Sequence, residues 1–198
     1  MPPTGVLALQ GGVAEHISIL RGLGIDTVEV RVPDDLEGIS SIFLPGGEST
    51  TLISLLNRWK LTEPLIEMGK HGFPMFGTCA GAVLLSSEIT EREHEVKQDS
   101  LHLADVRAVR NFFGRQTSSF VQPIRIDGLD ESFEGVFIRA PLLIPLSEDV
   151  EVLSSVSDGP VLVRQGNLWL SSFHPELTGD LRLHSLFLES AGLLKGED

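Results

Sequence analysis

Pro74-Met75-Phe76-Gly77-Thr78-Cys79-Ala80-Gly81-Ala82-Val83-Leu84-Leu85 is a brief apolar run, a turn bracketed by glycines and a second apolar run. Pro74 to Phe76 reads as a buried strand, and Val83 to Leu85 lies in a helix. Between them, Gly77-Thr78-Cys79-Ala80-Gly81 has the form G-x-C-x-G. Glycines at these positions permit a sharp strand-to-helix turn whose central side chain stands at the carboxyl edge of a sheet. Open α/β sheets bind ligands at that edge. A helix N-terminus also presents unpaired N–H groups and a positive dipole end, which favour a thiolate and an oxyanion. Cys79 is therefore a candidate nucleophile and the Ala80 N–H a candidate oxyanion donor. A buried cysteine at a close-packed turn is the competing explanation.

Upstream of the turn, short apolar runs alternate with helical patterns, as in βαβ units that feed a parallel sheet. Gly5 to Leu9, Thr27 to Val30 and Ile42 to Leu44 read as strands. Val13, Ile17 and Leu20 share a helix face that ends near Gly22 and Gly24, a second helix starts about Ser49, and a third covers Leu61 to Gly69. Downstream, β-rich runs dominate: Phe120 to Ile126, Val136 to Ile138, Val150 to Val156, Val161 to Arg164 and Leu168 to Ser172. Gln165-Gly166-Asn167 has the composition of a hairpin turn. Leu183, Leu186, Phe187 and Ala191 fall on one face of a closing helix that stops near Gly192. Glu88 to Asp99 is markedly polar and reads as a solvated surface segment. The expected fold is α/β: one three-layer domain over residues 1–198, with a mixed, mainly parallel central sheet flanked by helices.

Composition narrows the function. The 198 residues are 41% hydrophobic and 22% charged, as in a folded globular chain, and carry a formal charge of −13. Seven basic and fourteen acidic residues precede position 100, and eight and fourteen follow it, so no charged tail accounts for the imbalance. That charge suits a phosphate backbone poorly, and nucleic acid is not an expected partner. Cys79 is the single cysteine, which excludes an internal disulfide framework and a multi-cysteine zinc site and fits a reducing compartment. No apolar stretch approaches the ~18 residues needed to span a bilayer, and the N-terminal segment lacks a basic region followed by a long apolar run. A cytoplasmic location with no membrane partner is expected.

A thiol nucleophile for acyl transfer needs an imidazole to move a proton and a third group to orient that imidazole. Phe173-His174-Pro175-Glu176 supplies both, at the end of the run Leu168 to Ser172. The residue before a proline favours extended geometry, and in an extended segment residues two apart face one side, so His174 and Glu176 can sit together. A loop histidine and a surface carboxylate are the alternatives when this pair is read alone. His94 lies in a charged stretch and His71 at a helix end, both expected in solvent; His102 and His184 lack metal-ligand spacing, and His16 follows Glu15 on the first helix. No metal is expected.

Leu44-Pro45-Gly46-Gly47-Glu48-Ser49 lacks the Lys-Ser/Thr ending of a phosphate loop, so ATP is not implied. Two adjacent glycines after a strand can point a backbone N–H into a site or flip a peptide between two orientations. A tight turn with Ser49 as a helix cap would explain the same residues.

Six segments together carry a resemblance: Leu9-Gln10-Gly11 with Glu15-His16; Pro45-Gly46-Gly47-Glu48-Ser49-Thr50-Thr51; Gly77 to Gly81; Arg110-Asn111-Phe112-Phe113-Gly114-Arg115-Gln116; Phe137-Ile138-Arg139-Ala140-Pro141; and Phe173 to Glu176. In this order they resemble the glutaminase subunits of glutamine-dependent pyridoxal 5′-phosphate synthases, from Leu9 to about Leu181. The cysteine turn and His-Pro-Glu alone would indicate only the wider class I glutamine amidotransferases, with their flavodoxin-like fold.

The resemblance implies that Cys79 attacks the side-chain amide of L-glutamine, His174 protonates the departing ammonia and Glu176 orients His174. It implies oxyanion donors at Gly47 and Ala80, and a glutamine site lined by Gly46, Gly47, Glu48, Arg110, Ile138 and Arg139. It further implies a partner synthase subunit that takes the ammonia, low activity until that partner docks, and no cofactor. Gln10 and the Gly46-Gly47 peptide are candidates for the partner-responsive element. Gly12 stands where relatives often carry a larger residue. For each arginine, internal ion pairing in an acidic protein is the other reading. A glutaminase serving another acceptor, or a non-catalytic regulatory module of the same fold, are the alternatives to the whole assignment.

Overall fold

The protein is described by a computed structural model that covers residues 2–91, 94–95, 98–114 and 119–195. The central sheet has seven strands: β1 (Thr4–Leu7), β2 (Thr27–Val30), β3 (Ser41–Leu44), β4 (Met75–Thr78), β11 (Glu151–Val156), β12 (Gly159–Gln165) and β13 (Leu168–Ser171). Their spatial order is β11-β12-β13-β4-β3-β1-β2. Pairing is parallel from β2 through β13, and β12 and β11 extend the sheet antiparallel. The expected mixed, mainly parallel sheet is what is found. Gly166, at a φ of 56°, supports the two-residue turn between β12 and β13.

Parallel strands covered on both faces read as continuous apolar runs, and here alternate residues serve opposite layers. Ile42 and Leu44 of β3 pack on one side with Leu52 and Leu56 of α2 (Ser49–Arg58), Leu65 of α3 (Thr62–Lys70) and the whole of α4 (Ala80–Leu85). Phe43 of β3, Phe76 of β4 and Trp169 of β13 face the other side, against Ile17 and Leu20 of α1 (Val13–Gly22) and Leu183 and Phe187 of α5 (Arg182–Ser190).

Strands as well as helices build the outer layers. A second sheet of β5 (Ser86–Glu91), β6 (His94–Glu95), β7 (Ala104–Val109) and β10 (Leu142–Pro145) has the order β10-β7-β5-β6 and places Ala104, Val106, Ala108 and Leu143 in the core beside α2, α3 and α4. A ribbon of β8 (Phe120–Ile124) and β9 (Phe133–Phe137) covers the opposite face with Ile124, Phe133 and Phe137. The expectation of a solvated surface segment at Glu88 to Asp99 is corrected in its first part. Residues up to Glu91 form β5, paired with β7 along one edge, and Ile89 packs on the core. β7 shows the alternation of a half-covered strand, and the short β10 ends at Pro145; both fall in stretches that carry no strand expectation. Among the described residues, no helix is long and apolar enough to cross a membrane.

The turn after β4 is set by backbone proximity. A Cβ on Gly81 would lie 1.9 Å from the Leu44 carbonyl oxygen, and one on Gly77 would lie 2.5 Å from the Gly81 carbonyl group. Neither contact is with a flexible side chain that could move aside. Gly81→Ala should therefore separate α4 from β3 and cost on the order of 3 kcal/mol. Urea denaturation checks this; a loss below about 0.5 kcal/mol would mean that the contact relaxes freely.

Candidate active site

Six segments, each following a strand, converge on one cavity of about 410 Å³. Gln10, Gly11 and Gly12 reach it from the β1–α1 turn, Gly46 to Ser49 from the end of β3, and Cys79 and Ala80 from the end of β4. Arg110 and Asn111 follow β7, Ile138 and Arg139 follow β9, and His174 and Glu176 follow β13. Every residue that the sequence singles out as catalytic, oxyanion-holding, substrate-binding or partner-responsive lies on this cavity's wall. Arg115 and Gln116, the last two residues of the Arg-Asn-x-x-Gly-Arg-Gln segment, lie outside the described residues.

Cys79 sits at a φ of 50° and a ψ of −104°, a conformation that costs a non-glycine residue about 1 to 3 kcal/mol. Two backbone hydrogen bonds hold it there: the Cys79 N–H donates to the Ser171 carbonyl at 2.7 Å, and the Val83 N–H donates to the Cys79 carbonyl at 3.1 Å. The first ties the turn to β13, the strand that carries His174. The N–H of Ala80, in the first turn of α4, has no acceptor within the helix. The sulfur lies 3.6 Å from the Ile138 carbonyl oxygen.

His174 Nδ1 is 2.7 Å from Glu176 Oε1, and the Cys79 side chain lies near enough to the imidazole to act on its charge. Burial alone would push this histidine down; the cysteine and Glu176 outweigh it and hold the imidazole up at about 10. The local backbone differs from the sequence expectation. His174 precedes a 3₁₀ turn over Pro175–Leu177, so the pair meets around a proline-initiated turn and not along an extended strand. Gly46 makes room for the ring, since a Cβ there would lie 2.4 Å from His174 Cε1.

Glu176 is buried. Burial works against its charge, but His16 beside it and the hydrogen bond from His174 hold it below the ordinary carboxylate range. His16 and His184 are both fully buried, and burial pushes both imidazoles down, toward the neutral form. Sequence reading assigns no role to these two histidines. The signal available was their position on the faces of α1 and α5 that turn to the sheet. His71 and His102 are exposed, as their loop and helix-end positions suggest.

Glu48, not Ser49, caps α2: its carboxylate accepts the N–H groups of Thr50 and Thr51 and both threonine hydroxyls. Burial opposes the charge, but these four donors together outweigh it and pull the group down to about 2. Arg110 Nη2 stands 3.5 Å from Glu48 Oε1, and its Nη1 donates to Gln98 Oε1 at 2.8 Å. Gln98, which also accepts from the Ser49 hydroxyl at 3.0 Å, is a contributor that the sequence reading missed. Arg110 thus has an internal carboxylate partner while it lines the cavity. Arg139, at a φ of 50°, also lines the cavity.

The Gly46-Gly47 peptide turns its carbonyl to the β1–α1 turn, where a Cβ on Gly11 would meet that oxygen at 1.5 Å. Gln10 Oε1 accepts the Glu48 N–H at 3.3 Å, linking the same two loops. Among the described residues no cluster of three potential metal ligands occurs. The assembled groups suit acyl transfer: a thiol beside an imidazole, a buried carboxylate behind it, backbone N–H groups in front, and arginines across the cavity.

Comparison with known proteins places the chain in a family. Residues 6–192 match the model of the SNO glutamine amidotransferase family. Pyridoxal 5′-phosphate synthase subunit PdxT of Thermus thermophilus is 49% identical over 190 residues, spanning 96% of this chain and 97% of that one. The protein of the same name from Thermosipho africanus is 45% identical over 184 residues, spanning 93% and 96%. A crystal structure described as a glutamine amidotransferase superposes with a TM-score of 0.88 at 47% identity, covering 96% of this chain and 98% of that one. A glutamine amidotransferase from Thermotoga maritima shares the fold, with a TM-score of 0.58 at 13% identity over 96% and 86% of the two chains.

Because Glu176 and Cys79 raise His174 against its burial, Glu176→Gln should lower the imidazole's midpoint from about 10. NMR titration of His174 measures it; an unchanged midpoint would mean that the carboxylate contributes nothing to the charged state.

Proposed function

The chain belongs to the SNO glutamine amidotransferase family, and from that premise we propose that it is the glutaminase subunit of a pyridoxal 5′-phosphate synthase. It hydrolyses L-glutamine to L-glutamate and ammonia and delivers the ammonia to a partner synthase subunit in a hetero-oligomeric complex. The observation that carries the reading is the continuous set Cys79, His174 and Glu176 at one cavity, with His174 Nδ1 2.7 Å from Glu176 Oε1. The relatives named as synthase subunits, matched over more than nine-tenths of both chains, support the acceptor. The whole of 1–198 is one glutaminase domain in this reading, at work in the cytoplasm.

The reaction follows from the groups present. The Cys79 sulfur attacks the side-chain amide carbon of glutamine, and the carbonyl oxygen becomes an oxyanion held by the N–H groups of Gly47 and Ala80. One such donor is worth about 2.7 to 4 kcal/mol in the transition state. The C–N bond breaks as the His174 imidazolium gives its proton to the leaving nitrogen, which departs as ammonia. A water molecule then gives a proton back to His174 and attacks the glutamyl thioester, releasing glutamate and the sulfur. Glu176 holds the ring in the tautomer that presents Nε2 to the sulfur. Gly46, Gly47, Glu48, Ile138, Arg110 and Arg139 form the glutamine site, and a guanidinium can grip the substrate carboxylate with two parallel hydrogen bonds.

Gln10 and the Gly46-Gly47 peptide form the partner-responsive element. Turning the Gly46 carbonyl away from Gly11 would re-aim the Gly47 N–H, and a peptide between two glycines can rotate with little steric penalty. Gln10 joins the β1–α1 turn to that loop, so a partner seated on the turn acts on the oxyanion site.

Cys79→Ala should abolish ammonia release from glutamine in the presence of the synthase subunit while leaving synthesis from added ammonium salt at the native rate. Residual glutamine hydrolysis would reject Cys79 as the nucleophile. The isolated native subunit should release ammonia at least tenfold more slowly than the complex, and equal rates would reject the docking switch.

A further inference from the structure

Behind the cavity, α1 and α5 bury two imidazoles that the reaction scheme above leaves unused. His16 Nδ1 is 3.0 Å from His184 Nε2, while His16 Nε2 is 3.2 Å from Thr78 Oγ1 and 3.5 Å from Glu176 Oε2. Both rings are fully enclosed, and His184 stacks on Phe43 at a ring separation of 5.0 Å. Among the described residues, Glu176 Oε2 and His184 Nδ1 are buried without a hydrogen-bond partner.

These distances choose one tautomer. If His16 carried its proton on Nδ1 and gave it to His184 Nε2, the His184 proton would sit on Nδ1, a buried N–H with no acceptor. The His16 Nε2 lone pair would then also face the Glu176 carboxylate oxygen. With the proton on Nε2 of both rings, His184 Nε2–H donates to His16 Nδ1, and His16 Nε2–H points to Thr78 Oγ1 and Glu176 Oε2. Only a bare lone pair is then left unpaired, which costs less than an orphaned donor.

We propose that His16 and His184 are positioning residues for the glutaminase reaction, forming a neutral N–H relay that holds the outer oxygen of Glu176 while its inner oxygen holds His174. Without His16, no ring N–H would face Oε2, and the buried carboxylate would take up a proton or rotate away from the imidazole more easily. The relay rests on the glutaminase reading above, for which it supplies the back wall. The groups that face Glu176 are His174 from the turn after β13 and His16 from α1. Glu15 acts on it through His16, Cys79 acts through His174, and Glu48, Arg110 and Arg139 line the same cavity.

The acid limb of the glutaminase kcat in the assembled complex tests the relay. Removing a donor from an ionised carboxylate makes protonation easier, so His16→Leu should move that limb upward by about one pH unit while the KM for glutamine changes less than about twofold. His16→Gln, whose amide can again donate, should reverse at least half of the shift. An unchanged acid limb in His16→Leu, or a loss equal at every pH, overturns the proposal. Should that variant fail to fold, ¹⁵N NMR of the native protein decides. A proton on Nε2 of both His16 and His184, with no titration between roughly pH 5.5 and 8.5, is expected. A proton on His16 Nδ1 refutes the relay. A native complex that hydrolyses no glutamine at any pH instead rejects the glutaminase reading, and the tautomers still test the relay independently.

Discussion

The close approach of Gly81 to the Leu44 carbonyl, with Gly77 set against Gly81, is the constraint on which the site depends. It brings the first turn of α4 against β3 and forces Cys79 into a conformation that residues with side chains rarely adopt. The Cys79 N–H then finds its acceptor on β13, so one hydrogen bond fixes the nucleophile's backbone relative to the strand that leads to His174. Distances between sulfur, imidazole and carboxylate follow from strand pairing and not from flexible side chains. That is how a site assembled from distant segments keeps its geometry.

Much of this was legible in the sequence because it is local. The elbow, the turn at Gly166, the helix from Val13 to Gly22 and the strand from Thr27 to Val30 each announce themselves through glycine placement or apolar periodicity. The second sheet did not. β5 carries Ser, Glu and Thr along a partly covered edge, and β10 is four residues ending in proline; each becomes a strand only through β7, which itself pairs with both. Register with a partner is a tertiary fact, and no window of sequence contains it.

The site divides in the same way. Cys79, His174 and Glu176 were found by the chemistry they offer, yet the path joining the last two was misjudged, because Pro175 starts a tight turn where an extended segment would also have served. Gln98 goes unnoticed in the sequence and His16 and His184 receive no role there, since each acts through another residue. A supporting group needs no motif of its own, only a polar atom at the correct depth, and depth is set by packing. The alternative in which Ser49 caps α2 fails for a related reason: Glu48 reaches the same N–H groups and gains Arg110 as well, so the loop residue named as a substrate contact is also a structural anchor.

Cys79 and His174 end neighbouring parallel strands, β4 and β13, whose paired residues lie 93 positions apart, Met75 opposite Leu168. Everything between them, including β8 to β12, must be synthesised before that pair can form. Contacts of such long range form slowly, because the loop must close before any contact rewards it. A nascent chain still on the ribosome therefore carries its thiol without the base, and a truncated chain that ends before β13 never gains it. The order of the elements along the chain thus acts as a timer: chemical competence arrives after most of the sheet is in place.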